Sequence, residues 1–241
     1  MFIIIFITSF YYIYYFNIYI MIPKIIHMCY KDLKILEKYA QNWKKLNPEY
    51  ELHLYDDSLC RQFLIKNFSE LYVKIFNYIR DGPIKADFWR VCILYIYGGV
   101  YADADIVPIV PLDNFIEKNI DFLTCTSKNF YDFFNPNFIV SAPNNIFLKK
   151  CIDIYVKKYE NKERYAYISW SIVNLFNFHN VINKNFLKKK NGIYRYETLK
   201  IQLLEEKSNY IDVYKDYMMY NNQKIFMNRY KNYDYKKHKF N

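Results

Sequence analysis

Residues 84–112 constrain the fold more than any other stretch of this chain. Apolar residues continue from Ile84 to Tyr97 with few polar interruptions, which predicts a helix buried on most of its surface. The pair Gly98-Gly99 predicts the end of that helix. The segment Val100–Val107 then predicts a strand, so the chain passes from a buried helix directly into a sheet.

The remaining elements alternate in a similar way. Strands are predicted at Ile25–Met28, Tyr50–Tyr55 and, less clearly, Phe138–Ser141; helices are predicted up to Asn47-Pro48, near residues 59–66 and 69–79, and at Ile146–Tyr159, with a turn at Asp81-Gly82-Pro83. The tail beyond residue 183 gives no clear assignment. This alternation predicts an α/β fold with an open, mostly parallel sheet flanked by helices.

Two carboxylates, Asp103 and Asp105, stand at the end of the predicted apolar strand. Residues two apart on a strand point to the same side, so these two side chains would lie together, opposite Ala102 and Ala104. Adjacent negative charges repel, and a hard divalent cation would relieve that repulsion and could also hold a diphosphate. The alternative is an exposed polar strand end without a metal.

Asp87 and Arg90 are three residues apart on the predicted buried helix and therefore share a face. Charged residues on a buried helix need each other, a ligand, or both. The pair is a candidate for the same site as the two later carboxylates. The alternative is a simple ion pair on the one exposed face of the helix.

Several segments together resemble a known family. They are Asp87-x-x-Arg90; Leu94-Tyr95-x-Tyr97-Gly98-Gly99-Val100-Tyr101-x-Asp103-x-Asp105; Ile22-Pro23-Lys24-Ile25-Ile26-His27; Trp43-Lys44-x-Leu46-Asn47-Pro48-x-Tyr50 with Tyr55-Asp56-Asp57; and Ile139-Val140-Ser141-Ala142-Pro143. The series resembles the sugar-binding region of DXD-motif glycosyltransferases. These include the yeast initiating mannosyltransferases, bacterial capsular and viral enzymes of family 32, and remotely the clostridial glucosylating toxins. The resemblance covers about residues 22–150.

The resemblance implies a GT-A-type nucleotide-diphospho-sugar transferase fold, a retaining reaction and a nucleotide-sugar donor. It also implies a glycan, lipid or protein acceptor and a divalent cation, usually Mn2+ (or Mg2+). Mapped onto this chain, the metal set is Asp103 and Asp105, with Asp105 as the direct ligand. The donor-binding set is His27, Tyr30, Asp87, Arg90, Tyr101 and Asp103. Within it, Tyr30 would lie against the nucleobase, where the family usually has Trp, and keeps an aromatic face.

The chain departs from the family pattern at three places. Met28-Cys29-Tyr30 follows His27 where Gln-Ile-Trp is common, and Ala86-Asp87-Phe88-Trp89 replaces Ser-Asp-Leu-Leu. The nearest candidate for the family's C-terminal His and Trp motif is His238. The leading function is glycosyl transfer; the alternative is a non-catalytic, membrane-associated relative that binds a sugar nucleotide.

Charge divides the chain into two halves. Residues 1–120 carry 13 basic and 13 acidic side chains, whereas residues 121–241 carry 21 basic and 11 acidic ones, which accounts for the net charge of +10. We therefore divide the transferase domain, 23–241, into a donor-binding half, 23–120, and a basic acceptor-side half, 121–241. The excess charge either faces an anionic acceptor or membrane, or only solvates the surface. Just six of the basic residues are Arg and no nucleic-acid motif occurs, so specific nucleic-acid binding is not expected.

Residues 1–22 are uncharged and long enough to span a bilayer. They are either a membrane anchor or the result of a misassigned start, with Met21 as the true one, and the compartment is left open between cytoplasm and secretory pathway. The five cysteines form no C-x-x-C pair, so neither a zinc site nor a disulfide framework is predicted, and Cys92 is expected in the core.

Overall fold

The computed structural model describes residues 21–127, 133–207 and 216–228. The first half contains β1 (Ile25–Cys29), α1 (Leu33–Leu46), β2 (Glu51–Tyr55), α2 (Asp57–Asn67), α3 (Glu70–Tyr78), α4 (Gly82–Tyr97) and β3 (Gly99–Ala102). The second half contains β4 (Val107–Pro108), a 3-10 turn (Leu112–Asn114), β5 (Phe122–Ser127), β6 (Phe133–Ser141), α5 (Ile146–Glu160), α6 (Tyr167–Trp170), α7 (Ile172–Phe178), α8 (Lys184–Leu187), β7 (Gly192–Tyr196), β8 (Leu199–Lys207), β9 (Tyr217–Tyr220) and β10 (Gln223–Met227).

The strands form one sheet in the order β2-β1-β3-β6-β5-β8-β9-β10-β4, with β7 paired to β8. The predicted α/β class, an open sheet flanked by helices, is confirmed. Within β2-β1-β3-β6-β5-β8 five of six strands run in one direction and β6 is reversed. From β8 onward the pairings of the described strands are antiparallel, so the sheet as a whole is mixed.

Apolar residues cover both faces of the sheet. One cluster joins the helices α2 to α5 and α7 and includes Trp89 and Phe147, both fully buried. The other lies under α1 and includes Trp43, Val100 and Phe138. Side chains of β3 alternate between the two clusters, which is why this short strand is buried along its whole length.

Gly98 and Gly99 allow α4 to end against the sheet and β3 to begin inside it. Both have positive φ, 64° and 94°. A Cβ on Gly98 would lie 2.8 Å from Pro143 Cδ, and one on Gly99 would lie 2.6 Å from Ile25 O. The backbone therefore makes a tight turn here that only glycine fits without strain, and this turn sets where β3 and its following residues point.

Three predicted features need correction. The predicted strand Val100–Val107 is interrupted, because β3 ends at Ala102 and β4 begins only at Val107. The predicted turn at Asp81-Gly82-Pro83 is the start of α4, with Pro83 in the first turn, where its missing N–H costs no helical hydrogen bond. The unassigned tail contributes four strands, β7 to β10.

Other predictions can be compared directly. Cys92 is fully buried, as expected for a core residue, and the five cysteines are free. Within the described ranges, no helix combines the length and the apolar character needed to cross a bilayer. The prediction for the first 22 residues falls almost wholly on residues 1–20, which lie outside the described residues, as does His238.

Candidate functional site

The two carboxylates of the D-x-D sequence lie in a β-turn that follows β3. The amide of Ile106 donates to Asp103 O at 3.2 Å, and the amide of Asp103 donates to Asn137 O in β6 at 2.9 Å. Both Asp103 and Asp105 are partly exposed. Our prediction that they share one face of a strand is therefore wrong; a turn, anchored to β6, brings both carboxylates to the end of β3.

Arg90 ties this turn to helix α4. Its side chain is 3% exposed, and Nη2 lies 3.1 Å from Asp87 Oδ1 and 3.2 Å from Asp103 Oδ1. Nε donates to Ala86 O at 3.2 Å and Nη1 donates to Pro136 O. A single guanidinium thus holds two carboxylates and two backbone carbonyls, on α4, on β6 and after β3.

Tyr101 supports the same carboxylate from inside the sheet. Its hydroxyl donates to Asp103 Oδ1 at 2.8 Å, and its ring lies 4.3 Å from the Arg90 guanidinium carbon. The hydroxyl also lies 3.7 Å from Cys29 Sγ at the end of β1. With the side chain 1% exposed, Tyr101 is placed to orient Asp103 and Arg90.

Asp87 connects the cluster to helix α7. It is 5% exposed, and Oδ2 accepts from the amide of Ile172 at 3.0 Å. Burial raises the pKa of Asp87 to about 6, while Arg90 and the Ile172 amide oppose that shift. Burial likewise raises the pKa of Asp103, again opposed by Arg90 and the Tyr101 hydroxyl. Asp87, Arg90 and Tyr101 are thus largely removed from water, whereas the Asp103 carboxylate stays partly exposed.

The structure brings Asp87, Arg90, Tyr101 and Asp103 into direct contact, with Asp105 in the same turn. Sequence reasoning missed the carbonyl of Pro136 and the amide of Ile172. Every residue carries a backbone carbonyl and every residue except proline carries an amide, so the sequence holds no signal for these roles.

Tyr30 lies at the same edge of the sheet. It directly follows β1, which runs parallel to β3 with His27 opposite Tyr101. The carboxyl ends of neighbouring parallel strands therefore place Tyr30 and Asp103 on one side of the sheet, where open α/β sheets bind their ligands. Tyr30 is half-buried, and its amide donates to Tyr55 O at 2.9 Å.

His27, by contrast, is not brought to this edge. It is fully buried in β1, with Nε2 3.1 Å from Gly98 O and its ring 6.3 Å from that of Tyr97. A carbonyl only accepts, so Nε2 carries the proton and the ring ties β1 to the turn after α4. Burial lowers the pKa of His27 to about 3, so the ring is neutral.

We expect His27 to make the protein sensitive to acid. Its pKa is about 3 when folded and near 6.5 when exposed, so the unfolded chain binds the extra proton between these values. Stability is then lost as pH falls below 6.5, by about 1.5 kcal/mol between pH 6.5 and 5. Urea unfolding at both pH values should show this loss in the parent protein and in His53→Gln, a partly exposed neighbour. An equal loss in His27→Gln would contradict the assignment.

The donor set of the turn fits a hard cation that is shared with a ligand. Both hydrogen bonds to Asp103 fall on Oδ1, and both carboxylates are partly exposed. Among the described residues no group of three or more His, Cys, Asp or Glu is gathered as a complete metal cage. Cations such as Mg2+ commonly take one or two carboxylates together with substrate phosphates and water, so two carboxylates suffice for such a site.

Comparison with known proteins points to one family. Residues 34–121 match the family described as glycosyltransferase sugar-binding region containing DXD motif. This stretch includes Asp87, Arg90, Tyr101, Asp103 and Asp105. The resemblance to DXD-motif glycosyltransferases is confirmed there, over a shorter range than residues 22–150.

Curated relatives are similar to part of this chain. An uncharacterized glycosyltransferase of Acanthamoeba polyphaga mimivirus is 33% identical over 130 residues, 52% of each chain. The initiation-specific alpha-1,6-mannosyltransferase of Candida albicans is 33% identical over 34% of this chain and 22% of its own. Inositol phosphoceramide mannosyltransferase 3 of Schizosaccharomyces pombe is 36% identical over 35% of this chain and 24% of its own. The chain thus spans about half the length of the viral relative and about a quarter of the fungal ones.

A solved structure named PaToxG Glycosyltransferase is similar over 60% of this chain and 64% of its own, with 18% identity and a TM-score of 0.48.

Proposed function

We propose that this chain is a retaining, metal-dependent glycosyltransferase with a GT-A-type donor half. One observation carries the proposal: a buried network of Asp87, Arg90 and Tyr101 fixes Asp103 at the carboxyl edge of the sheet, inside the matched sugar-binding region. Burying charged groups costs desolvation free energy, and clusters of charged groups perturbed by burial occur preferentially at functional sites. In the transfer, the bond between the sugar C1 and the diphosphate oxygen breaks, and a bond forms between C1 and the acceptor oxygen. The proton of the acceptor hydroxyl leaves with the nucleoside diphosphate.

Asp105 and Asp103 would hold the cation, Mn2+ or Mg2+. When bound, such a cation neutralises the charge that grows on the departing diphosphate. Asp105 is the direct ligand in this proposal. Asp103, fixed through Oδ1, contacts the donor's ribose or sugar and a water on the cation.

The other donor-binding residues have separate tasks. Arg90 and Asp87 hold the sugar hydroxyls and the phosphate side of the donor, and Tyr101 orients Asp103 through the hydrogen bond to Oδ1. Tyr30 presents its aromatic face to the nucleobase at the end of β1. His27 belongs to this set only through the backbone it fixes, since its side chain is fully buried.

A screen of nucleotide sugars tests the proposal. Purified protein is incubated with each of a panel of UDP-, GDP- and ADP-sugars, with Mn2+ or with a chelator, and free nucleotide is measured. We expect slow release from one donor that requires the cation. Cation-dependent binding of a donor without release would instead favour the non-catalytic, membrane-associated relative. No binding and no release would remove both functions.

The acceptor is proposed to be a glycan, lipid or protein bound by the second half, with membrane attachment through residues 1–22. Two fungal relatives are named for a mannosyl transfer and for inositol phosphoceramide, which motivates testing sugar and lipid acceptors.

A variant lacking residues 1–20 should keep donor hydrolysis and lose sedimentation with vesicles. Retained sedimentation would contradict the anchor.

We expect the basic cluster Lys188–Lys190 to act on an anionic acceptor. All three side chains are exposed, whereas Lys236–Lys239 lie outside the described residues. Reversing the three charges to Glu should weaken use of an anionic acceptor several-fold at low salt and less at high salt, because salt screens exposed charges. Donor hydrolysis should stay at the parent rate. Equal losses toward donor and acceptor, or no loss, would show that these lysines only solvate the surface.

A further inference from the structure

The segment from Tyr165 to Ile172 is docked firmly beside the candidate site. The Tyr165 hydroxyl donates to Asp81 Oδ2 at 2.5 Å, next to the start of α4. The Tyr155 hydroxyl donates to Trp170 O at 2.9 Å, and Trp170 itself is fully buried. Together with the bond from the Ile172 amide to Asp87, these contacts fix helix α6 on both sides.

Two large side chains of this fixed segment nevertheless face solvent. Tyr167 is 46% exposed and Ile168 is 74% exposed. Exposed aromatic residues on a rigid backbone lose little conformational freedom when they bind a ligand. A partly exposed aromatic ring on a fixed backbone can therefore contact a ligand at little entropic cost.

Tyr167 also lies within electrostatic range of the site. Burial of part of its phenol raises the pKa of Tyr167, and the charges of Asp87, Asp81 and Asp103 raise it further, while Arg90 lowers it. The bonds from Tyr165 to Asp81 and from the Ile172 amide to Asp87 place the segment that carries Tyr167 against α4, along the part of the helix that bears Asp87. Its segment lies beyond residues 34–121, the part shared with the sugar-binding family, and so outside the proposed donor half.

We infer that Tyr167 is an acceptor-specificity residue: its ring forms the surface on which a pyranose ring of the acceptor lies, on the segment that is bonded to Asp87. This inference rests on the proposed function. A pyranose combines an apolar face of C–H groups with a rim of hydroxyls. A half-buried tyrosine matches both, with a ring face for the C–H groups and a phenol for the rim.

The test compares transfer to simple glycosides. The parent protein is assayed with the donor found in the nucleotide-sugar screen and a panel of methyl pyranosides and their octyl counterparts. We expect Tyr167→Ala to raise the KM for the methyl glycoside about fivefold to tenfold, from the loss of an aromatic contact. The KM for the donor and the kcat should each change by less than about twofold in the same variant. Tyr167→Phe should retain acceptor use and Tyr167→Leu should not, since bulk without an aromatic plane is insufficient.

Ile168→Ser is the matched control, because it removes a more exposed apolar side chain from the same short helix. An unchanged KM for methyl glycosides is expected. A loss confined to octyl glycosides in Ile168→Ser, with Tyr167→Ala at the parent value, would overturn the inference in favour of an apolar aglycone site. Donor hydrolysis without transfer to any methyl glycoside would also overturn it. Absence of donor hydrolysis in the parent protein would instead remove the proposed function.

Discussion

Asp105→Ala should reduce cation-dependent donor turnover by about 100- to 1,000-fold, because the cation that offsets several kcal/mol of leaving-group charge loses its direct ligand. Asp105 is partly exposed in the turn after β3. Its removal should therefore leave the fold intact, and thermal unfolding without cation should match the parent. The measurement is nucleotide release as a function of Mn2+ concentration.

Asp153→Ala provides the control for this variant. Asp153 is an exposed carboxylate on α5, paired with Lys149 at i,i+4, and such surface pairs contribute little. It should show the parent's turnover and the parent's dependence on Mn2+. If Asp105→Ala keeps turnover and apparent Mn2+ affinity near the parent values, the metal assignment is incorrect.

The elements of the first half could be predicted because their periodicities are strong. Helix α4 was placed within two residues from its apolar run and its terminal glycines. The end of β3 was not placed correctly. Apolar residues continue to alternate through Ala104 and Ile106, both of which are buried, although the backbone turns there. Because Ala104 and Ile106 are buried in the turn, the alternation of apolar and polar residues continues there and indicated a strand in place of the β-turn.

The position of His27 was also within reach of the sequence. It lies inside a continuous apolar run, Ile25–Cys29, and such runs are typical of central strands buried on both faces. β1 indeed lies between β2 and β3. The resemblance placed His27 in the donor-binding set, whereas the burial pattern favours a structural role.

The pairing partners of the second half could not be predicted, because strands such as β8 pair through backbone groups with β5, whose residues lie 79 positions earlier, as Phe122 does opposite Ile201. Site geometry met the same limit. The amide of Ile172 and the carbonyl of Pro136 complete the network, yet neither side chain marks the role. The charged residues of the network could be identified from the sequence, and the spacing of Asp87 and Arg90 was enough to place both on one face of the helix.

Arg90 is the member whose replacement should have the largest effect on both stability and activity. Its guanidinium contacts Asp87, Asp103, Ala86 O and Pro136 O, and it is 3% exposed. An ammonium group has the charge but lacks the planar fork, so Lys cannot reach carboxylates and carbonyls on three elements at once. Removing the charge altogether would leave buried carboxylates uncompensated.

We therefore expect Arg90→Ala to lower the free energy of unfolding by about 3–5 kcal/mol and Arg90→Lys by about 1–3 kcal/mol. Because Asp103 loses its fixed orientation, Arg90→Lys should also lose most donor turnover under conditions where it remains folded. Urea unfolding and nucleotide release measure the two effects. The control is Arg61→Lys, a partly exposed arginine 4.0 Å from Asp57, which should change stability by less than about 0.5 kcal/mol. Parent-like turnover in a folded Arg90→Lys protein would show that the fork is not required, and that Asp103 is oriented by Tyr101 and the turn alone.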